Sequence, residues 1–129
     1  MTRPTSALIV DDEAHVRVFV RLLLAELGIT TTWEAANGER ALELVREHQP
    51  ELVMLDVNMP VMNGLEALAQ IKTIAPDVPV VILSSENAMQ TVREAARHGA
   101  AGYILKHSPK EEALEALRDV LEGTEENEA

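Results

Sequence analysis

The sequence predicts a doubly wound α/β domain built on a five-stranded parallel sheet. Short, nearly continuous apolar runs alternate with amphipathic stretches along the chain, and the runs are too short to be buried helices. Continuous apolarity is typical of strands buried on both faces. Strict alternation of strand and helix implies right-handed crossovers, which cover both faces of a parallel sheet with helices. Since domains usually contain about 100 to 200 residues, this chain of 129 residues is expected to hold one domain and no separate output module.

Five segments have the composition of strands. Residues 30–34 are polar but rich in β-branched side chains, which favours an edge position in the sheet. The other four are apolar and fit strands buried on both faces; they are residues 7–10, 52–55, 80–83 and 103–105.

Amphipathic spacing predicts a helix after each strand. The first helix ends at Gly28, a residue type that commonly terminates helices, and buries an apolar stripe comprising Val16, Val20, Leu23, Leu24 and Leu27. The next three helices are predicted over residues 39–48, 65–74 and 88–98.

The fifth helix has the clearest predicted boundaries. Ser108 is placed to cap its amino end, Pro109 suits the first helical position, and Glu111 completes a capping box. Gly123 is expected to stop the helix, whose buried stripe would comprise Ala113, Leu114, Leu117, Val120 and Leu121. The sequence therefore predicts a domain over residues 6–122 and a short acidic tail over residues 123–129.

Charge and composition argue against several classes of function. The chain carries 11 Lys and Arg residues against 22 Asp and Glu, a formal net charge of −11 that would repel a phosphate backbone. It is poor in the aromatic rings that stack on bases, with Phe19, Trp33 and Tyr103 as its Phe, Trp and Tyr residues. We therefore expect no nucleic-acid partner. The lack of cysteine, of a long apolar run and of a signal peptide predicts a cytoplasmic protein that does not contact a membrane.

Polar and charged residues follow the apolar strands. They are Asp11 and Asp12 after the first, Asp56 after the third, Ser84 and Ser85 after the fourth, and Lys106 after the fifth. Each has a structural explanation: Asp12 can cap the first helix with Asp11 solvated beside it. Asp56 can mark a strand end, Ser84 can be an ordinary loop residue, and Lys106 can be a solvated lysine. Ligands of open parallel sheets bind at the carboxyl ends of the strands, however, and all these residues meet at that edge. The coincidence favours a functional site.

The residue types at this edge indicate phosphoryl chemistry assisted by a metal. Three carboxylates repel each other unless a cation enters, and an all-oxygen set suits Mg²⁺. A cation and the Lys106 ammonium would allow an anionic phosphoryl group to approach a nucleophilic Asp, and Ser84 would donate a hydrogen bond to it. We therefore predict Mg²⁺ as the cofactor.

Four segments in order resemble the receiver domain of two-component response regulators, of the chemotaxis-regulator type. They are residues 8–13 (LIVDDE), 55–64 (LDVNMPVMNG), 82–85 (ILSS) and 99–106 (GAAGYILK). The resemblance spans residues 6–122 and implies a flavodoxin-like (βα)5 fold with strand order 2-1-3-4-5.

The resemblance also implies a role for each site residue. Asp56 would be the phosphoacceptor; Asp12, Asp56 and the Asn58 carbonyl would hold Mg²⁺, with Asp11 acting through a metal-bound water. Ser84 and Lys106 would bind the phosphoryl group, and Tyr103 would be the aromatic that changes rotamer. Asn58 and Glu86 would tune the lifetime of the phosphoryl group.

These roles imply a signalling switch in a two-component system or phosphorelay. A sensor histidine kinase or histidine phosphotransfer protein would donate the phosphoryl group. The face formed by the fourth helix, fifth strand and fifth helix would then change, to control an effector or an output domain outside this chain or to form a dimer. Such a chain promotes its own phosphorylation and hydrolysis, but it is not expected to be a metabolic enzyme.

Two alternatives and one departure from the family pattern stay open. A Mg²⁺-dependent aspartyl-phosphate phosphatase would normally need an acid or base Asp where this chain has Asn58, and a degenerate receiver that only binds partners would not need the complete acidic set. Many receivers have proline, often in a cis bond, where this chain has His107. The Lys106–His107 bond is therefore either trans or held cis by its surroundings at a cost of about 2.5 to 4 kcal/mol.

The first helix has apolar residues away from its buried stripe. Val18 and Leu22 fall on the opposite face, and Phe19 lies at the flank. Phosphodonor proteins of this system commonly dock on the first helix of receivers. We therefore hypothesise that Val18, Phe19 and Leu22 form part of a donor-docking surface.

Overall fold

The structure, a computed structural model, describes residues 4–59, 62, 64–85 and 89–127. Five strands alternate with five helices in the predicted order. The elements are β1 (Ser6–Val10), α1 (Ala14–Glu26), β2 (Thr31–Ala35), α2 (Gly38–His48), β3 (Val53–Asp56), α3 (Gly64–Ile74), β4 (Val80–Ser84), α4 (Met89–Arg97), β5 (Gly102–Leu105) and α5 (Lys110–Asn127). The predicted strands and helices are confirmed, and their bounds differ from the prediction by about one residue, except at the end of α5.

The five strands form one parallel sheet in the order β2-β1-β3-β4-β5, as predicted. The chain runs from β1 outward to β2 and then returns to the other side of β1 to form β3. The order therefore reverses between β1 and β3, where the loops at their carboxyl ends diverge to opposite faces and leave a crevice.

Each face of the sheet carries its own apolar core. Side chains alternate along a strand: Leu8 and Val10 of β1 pack with α2 and α3, whereas Ala7 and Ile9 pack with α1 and α5. Because helices cover both faces, every position of β3 and β4 is buried, as is every position of β1 after Ser6. This is why the central strands have nearly continuous apolar sequences.

The edge strand β2 is covered only in part. Trp33 is half-buried against the core, and its ring stacks on His48 of α2 with centroids 4.7 Å apart and an interplanar angle of 12°. This packing agrees with the edge position predicted for residues 30–34.

The predicted end of the first helix is confirmed. Gly28 has φ +88°, and its amide donates to the Ala25 carbonyl at 3.1 Å, while the next amide, of Ile29, returns to the Leu24 carbonyl at 2.9 Å. A left-handed residue of this kind closes the last turn, and glycine adopts it without steric cost.

The predicted stop of the last helix at Gly123 is wrong, because α5 continues to Asn127. Among the glycines of the described chain, Gly28 and Gly99 adopt positive φ and Gly123 does not. A glycine that keeps a helical conformation costs about 1 kcal/mol relative to alanine, which alone does not end a helix.

The start of α5 is also displaced by one residue from the prediction. The amides of Glu112 and Ala113 donate to the Pro109 carbonyl at 3.0 and 3.1 Å, so Pro109 rather than Ser108 is the cap residue. The predicted stripe is buried at Ala113, Leu114, Leu117 and Leu121, and Val120 packs beside it. Across the described part of the chain, no helix is both long and apolar enough to span a membrane.

Candidate functional site

Two aspartates and one lysine meet at the carboxyl edge of the sheet. Asp11 follows β1, Asp56 ends β3, and Lys106 follows β5. Because strands lie about 4.8 Å apart, the lysine side chain has to reach across β4. Its Nζ lies 2.9 Å from Asp11 Oδ2 and 3.1 Å from Asp56 Oδ2. Both aspartates are fully buried and the Lys106 side chain is only 6% exposed, so the three charges interact with little screening by water.

The structural explanation of Asp11 and Asp12 from the sequence is wrong. Asp11 is fully buried rather than solvated, and the cap residue of α1 is Glu13, which makes no side-chain cap bond. Asp12 is exposed, yet its carboxylate belongs to the cluster: one oxygen each of Asp11, Asp12 and Asp56 lie within 4.8 Å of one another.

The cluster has the properties of a site for a hard cation. Asp11 Oδ2 and Asp56 Oδ2 are buried, and both oxygens face the same ammonium, that of Lys106. The Lys106 ammonium also lies 3.5 Å from Glu13 Oε1. Its single positive charge therefore faces three carboxylates and cannot balance them all. Buried carboxylates that are only partly balanced by positive charge are costly. Three carboxylate oxygens within 4.8 Å of one another form an all-oxygen set that fits a divalent ion such as Mg²⁺.

Burial and charge shift two pKa values at the site. Burial raises the pKa of Asp56 above its ordinary value, and the nearby Asp11 charge acts in the same direction; the Asn58 amide and Lys106 oppose the shift. Burial alone would lower the pKa of Lys106, but its contacts with Asp11 and Asp56 raise it. The lysine is therefore a permanent cation, and a second cation would favour ionised Asp56.

Three other residues predicted to belong to the site, Ser84, Asn58 and Tyr103, differ in where they lie and what they contact. Ser84 is buried at the end of β4, where its carbonyl accepts a bond from the Lys106 amide at 2.8 Å. The exposed Asn58 donates its backbone amide to Asp56 Oδ1 at 2.9 Å, and its side-chain amide lies 3.5 Å from Ser85 Oγ. Tyr103 lies on β5, half-buried against the core. Glu86 lies outside the described residues.

Gly64 allows the start of α3 to approach the end of β3. A Cβ atom on Gly64 would lie 2.3 Å from both the Asp56 carbonyl oxygen and the Val57 Cα. The Gly64 amide also donates to the Val57 carbonyl at 3.1 Å. This glycine therefore helps to set the backbone of Asp56, a role that the sequence alone does not reveal.

Sequence reasoning also missed Arg17. Its Nη1 donates to the Asp11 carbonyl at 2.7 Å, and its Nε donates to Glu34 Oε1 on β2 at 2.9 Å. An arginine on an amphipathic helix gives no local sign of either contact, because its partners are brought to it by the sheet.

The structure shows whether the Lys106–His107 peptide bond is cis or trans, which the sequence left open. Among the described residues no peptide bond is cis, so the Lys106–His107 bond is trans. The Ser108 amide donates to the Leu105 carbonyl at 3.1 Å, which turns the chain toward α5.

The three apolar residues predicted to lie away from the core of α1 are exposed. The exposed fractions are 41% for Val18, 36% for Phe19 and 59% for Leu22. Phe19 and Lys106 both border one small void of about 10 Å³ between α1 and the sheet. An apolar surface therefore lies next to the charged cluster.

Comparisons with known proteins identify the family of this chain. The family model described as "Response regulator receiver domain" matches residues 7–118. The chain is 37% identical to the nitrate/nitrite response regulator protein NarL of Escherichia coli over 121 residues, which are 93% of this chain and 56% of NarL. It is 36% identical to the chemotaxis protein CheY of Bacillus subtilis over 114 residues, 88% of this chain and 95% of CheY.

Solved structures show the same fold. The chemotaxis protein CheY4 of Vibrio cholerae matches with a TM-score of 0.83 and 29% identity, over 92% of this chain and 99% of CheY4. NtrX of Brucella abortus matches with a TM-score of 0.88 and 29% identity, over 99% of this chain but 28% of NtrX. The chain thus spans a little over half of NarL and of a putative transcriptional regulator of Pseudomonas aeruginosa, 56% and 58% respectively. The chain belongs to the response regulator receiver domain family of two-component signalling.

Proposed function

We propose that this chain is a phosphorylation-activated switch that accepts a phosphoryl group on Asp56. The placement of the Asp56 carboxylate supports this most directly. One oxygen accepts the Asn58 amide at 2.9 Å and the other faces Lys106 Nζ at 3.1 Å, at the edge of the sheet where ligands bind. A carboxylate held in one orientation beside a fixed positive charge is a suitable nucleophile for an anionic phosphoryl group.

The proposed reaction needs no general base. An ionised carboxylate oxygen of Asp56 attacks the phosphorus of a phosphohistidine on the donor protein, and a new P–O bond forms. The P–N bond breaks, and its electron pair stays on the donor nitrogen, which takes up a proton. Lys106 offers its charge, and the Ser84 hydroxyl a hydrogen bond, to the transferred oxygens. In hydrolysis, water attacks the phosphorus and the P–O bond to Asp56 breaks, which yields inorganic phosphate; we propose that Asn58 and Glu86 tune this step.

Mg²⁺ is the proposed cofactor. Asp12, Asp56 and the Asn58 carbonyl would hold it, with Asp11 acting through a water. The three carboxylate oxygens within 4.8 Å of one another support this assignment, and of these residues Asp11 and Asp56 share the Lys106 ammonium with Glu13. When bound, Mg²⁺ would supply positive charge that offsets the repulsion between the carboxylates and the phosphoryl oxygens.

The proposed output is a change of the face formed by α4, β5 and α5. Tyr103 lines a cavity of about 210 Å³ together with Val92, Ala95, Ala96 and Ala100. This space beside a half-buried ring supports two alternative packings of Tyr103, as a switch requires. The proposed product is thus a conformation that controls an effector, an output domain or a dimer, and the chain acts as a signalling protein rather than a metabolic enzyme. Its cytoplasmic location stays a prediction.

The proposed donor is a sensor histidine kinase or a histidine phosphotransfer protein. Such a partner would dock on Val18, Phe19 and Leu22 of α1. The exposure of these three apolar side chains supports this, because they lie on the helix that follows Asp11 and Asp12.

Mass spectrometry of the intact protein tests the proposal. The native chain and Asp56→Asn would be incubated with acetyl phosphate, with and without Mg²⁺. We expect one phosphoryl adduct that requires Mg²⁺ and is absent from the variant. If the native chain binds Mg²⁺ but forms no adduct, a phosphorylation-independent interaction module is the better account.

A further inference from the structure

We propose that Arg17 is a positioning residue that orients Asp11 for cation binding. The inference rests on the proposed Mg²⁺ site and goes beyond it. The described contacts of Arg17 are with the Asp11 carbonyl and with Glu34, and none is with the carboxylates of Asp11, Asp12 or Asp56. Arg17 acts through the backbone of Asp11.

The polar groups of Asp11 are held at three points. Its amide donates to the Ala35 carbonyl at 3.0 Å, its Oδ1 accepts the Glu13 amide at 2.9 Å, and its carbonyl accepts Arg17 Nη1 at 2.7 Å. These bonds leave Oδ2 to face Lys106 at 2.9 Å and the other carboxylates. The orientation of Oδ2 is thus set by three bonds made elsewhere on the same residue.

Arg17 provides the one side-chain bond among these three. The other two are made by backbone groups, so any sequence with this fold can supply them. The Arg17 side chain is 19% exposed, and its Nε bond to Glu34 Oε1 at 2.9 Å orients the guanidinium. A planar guanidinium can satisfy two acceptors in fixed directions, whereas an ammonium is a single point charge.

Arg21 provides a matched control. It lies one turn further along α1 and pairs with the same carboxylate, with Nη1 3.4 Å from Glu34 Oε2. None of its described contacts involves Asp11. Substitution of either arginine removes a charge and a contact with Glu34, but only substitution of Arg17 releases the Asp11 carbonyl.

The test compares Mg²⁺ affinity and stability in Arg17→Ala, Arg17→Lys and Arg21→Ala. The Mg²⁺ dissociation constant is measured by calorimetry at constant ionic strength, and thermal unfolding is measured without Mg²⁺. Loss of an outer-shell partner of a metal site typically weakens metal binding about 10- to 100-fold. We expect about tenfold weaker binding in Arg17→Ala, a smaller loss in Arg17→Lys, and less than about twofold change in Arg21→Ala.

A purely structural role would change thermal unfolding and leave Mg²⁺ affinity alone. Equal Mg²⁺ affinity in Arg17→Ala and Arg21→Ala would therefore overturn the inference, as would a native chain that binds no Mg²⁺. If Arg17→Ala does not fold, the comparison of Arg17→Lys with Arg21→Ala decides in the same way.

The acetyl phosphate experiment separates this inference from the proposed function. If the native chain forms no adduct but Arg17→Ala still weakens Mg²⁺ binding relative to Arg21→Ala, the positioning role stands without the phosphoryl switch. If the native chain forms the adduct and Arg17→Ala binds Mg²⁺ as the native chain does, the switch stands and the positioning role is refuted.

Discussion

Substitution of Gly64 by alanine adds one methyl group next to the backbone of Asp56. The added Cβ would lie 2.3 Å from the Asp56 carbonyl oxygen and from the Val57 Cα, whereas ordinary contact begins at 3.4 Å. The atoms in the way belong to the backbone, so no side-chain rotamer can relieve the clash. The start of α3 and the end of β3 must therefore separate by about 1 Å.

This separation should change both stability and reactivity. Overpacking of this kind usually costs about 1 to 3 kcal/mol. For a domain of this size, each kcal/mol lowers the melting temperature by about 4 °C, so we expect a decrease of about 4 to 12 °C. A displacement of about 1 Å at a reacting group can slow its reaction up to about 100-fold. Phosphorylation of Asp56 by acetyl phosphate should slow accordingly.

Gly123 is the matched control for the same substitution. It lies inside α5 without positive φ, and no atom lies within 4 Å of the position that an alanine methyl group would occupy. Alanine there should therefore raise stability by up to about 1 kcal/mol. Calorimetry of both variants and mass spectrometry of the adduct make the comparison. A Gly64→Ala protein that melts at or above the native temperature would show that the added methyl group is accommodated without displacing α3 from β3.

Three further predictions concern the charged cluster and α1. Lys106→Met leaves Asp11 and Asp56 buried without their cation, so we expect a loss of about 3 to 5 kcal/mol in urea unfolding at pH 7.5; the loss should shrink at pH 5, because the pKa of Asp56 is raised in the folded state and its protonation removes one of the buried charges. Because burial raises the pKa of Asp56, native stability without Mg²⁺ should rise as pH falls toward that pKa, and Asp56→Asn should lose this part of the pH dependence in the same assay. Leu22→Asp places a charge on the exposed apolar surface, so phosphotransfer from a histidine kinase should slow more than about tenfold, as followed by radiolabel transfer.

Each of these predictions has an outcome that contradicts it. A Lys106→Met protein as stable as the native chain would show that the ammonium does not balance the buried carboxylates. An unchanged pH profile in Asp56→Asn would assign the titration to another group. Phosphorylation by acetyl phosphate is the control for Leu22→Asp, and equal slowing with both donors would argue against a docking role.

The elements of this fold were predictable because their signals are local. A strand covered on both faces needs apolar residues at every position, and a helix that lies on a sheet needs an apolar stripe, so residues 52–55 and the stripe of α5 are recognisable from sequence. The end of α1 at Gly28 was predictable for the same reason. The end of α5 was not, because a glycine stops a helix only when it adopts positive φ, and Gly123 does not.

The composition of the site was also predictable, since strand ends can be located and the carboxyl ends of parallel strands share one edge. The sequence did not show, however, which of the adjacent aspartates Asp11 and Asp12 would be buried. Asp11 is fully buried while Asp12 is exposed, because consecutive side chains of an extended chain point to opposite sides and only the packed sheet decides which side is covered.

The succession of strands and helices, the acidic residues at the sheet edge and the family resemblance can all be read from the amino-acid sequence. The folded chain is needed to show that Lys106 reaches Asp11 and Asp56, that Gly64 lies against the Asp56 backbone, and that Arg17 binds the Asp11 carbonyl. These contacts join residues on different strands, helices and loops, so their distances are set only when the helices pack on the sheet.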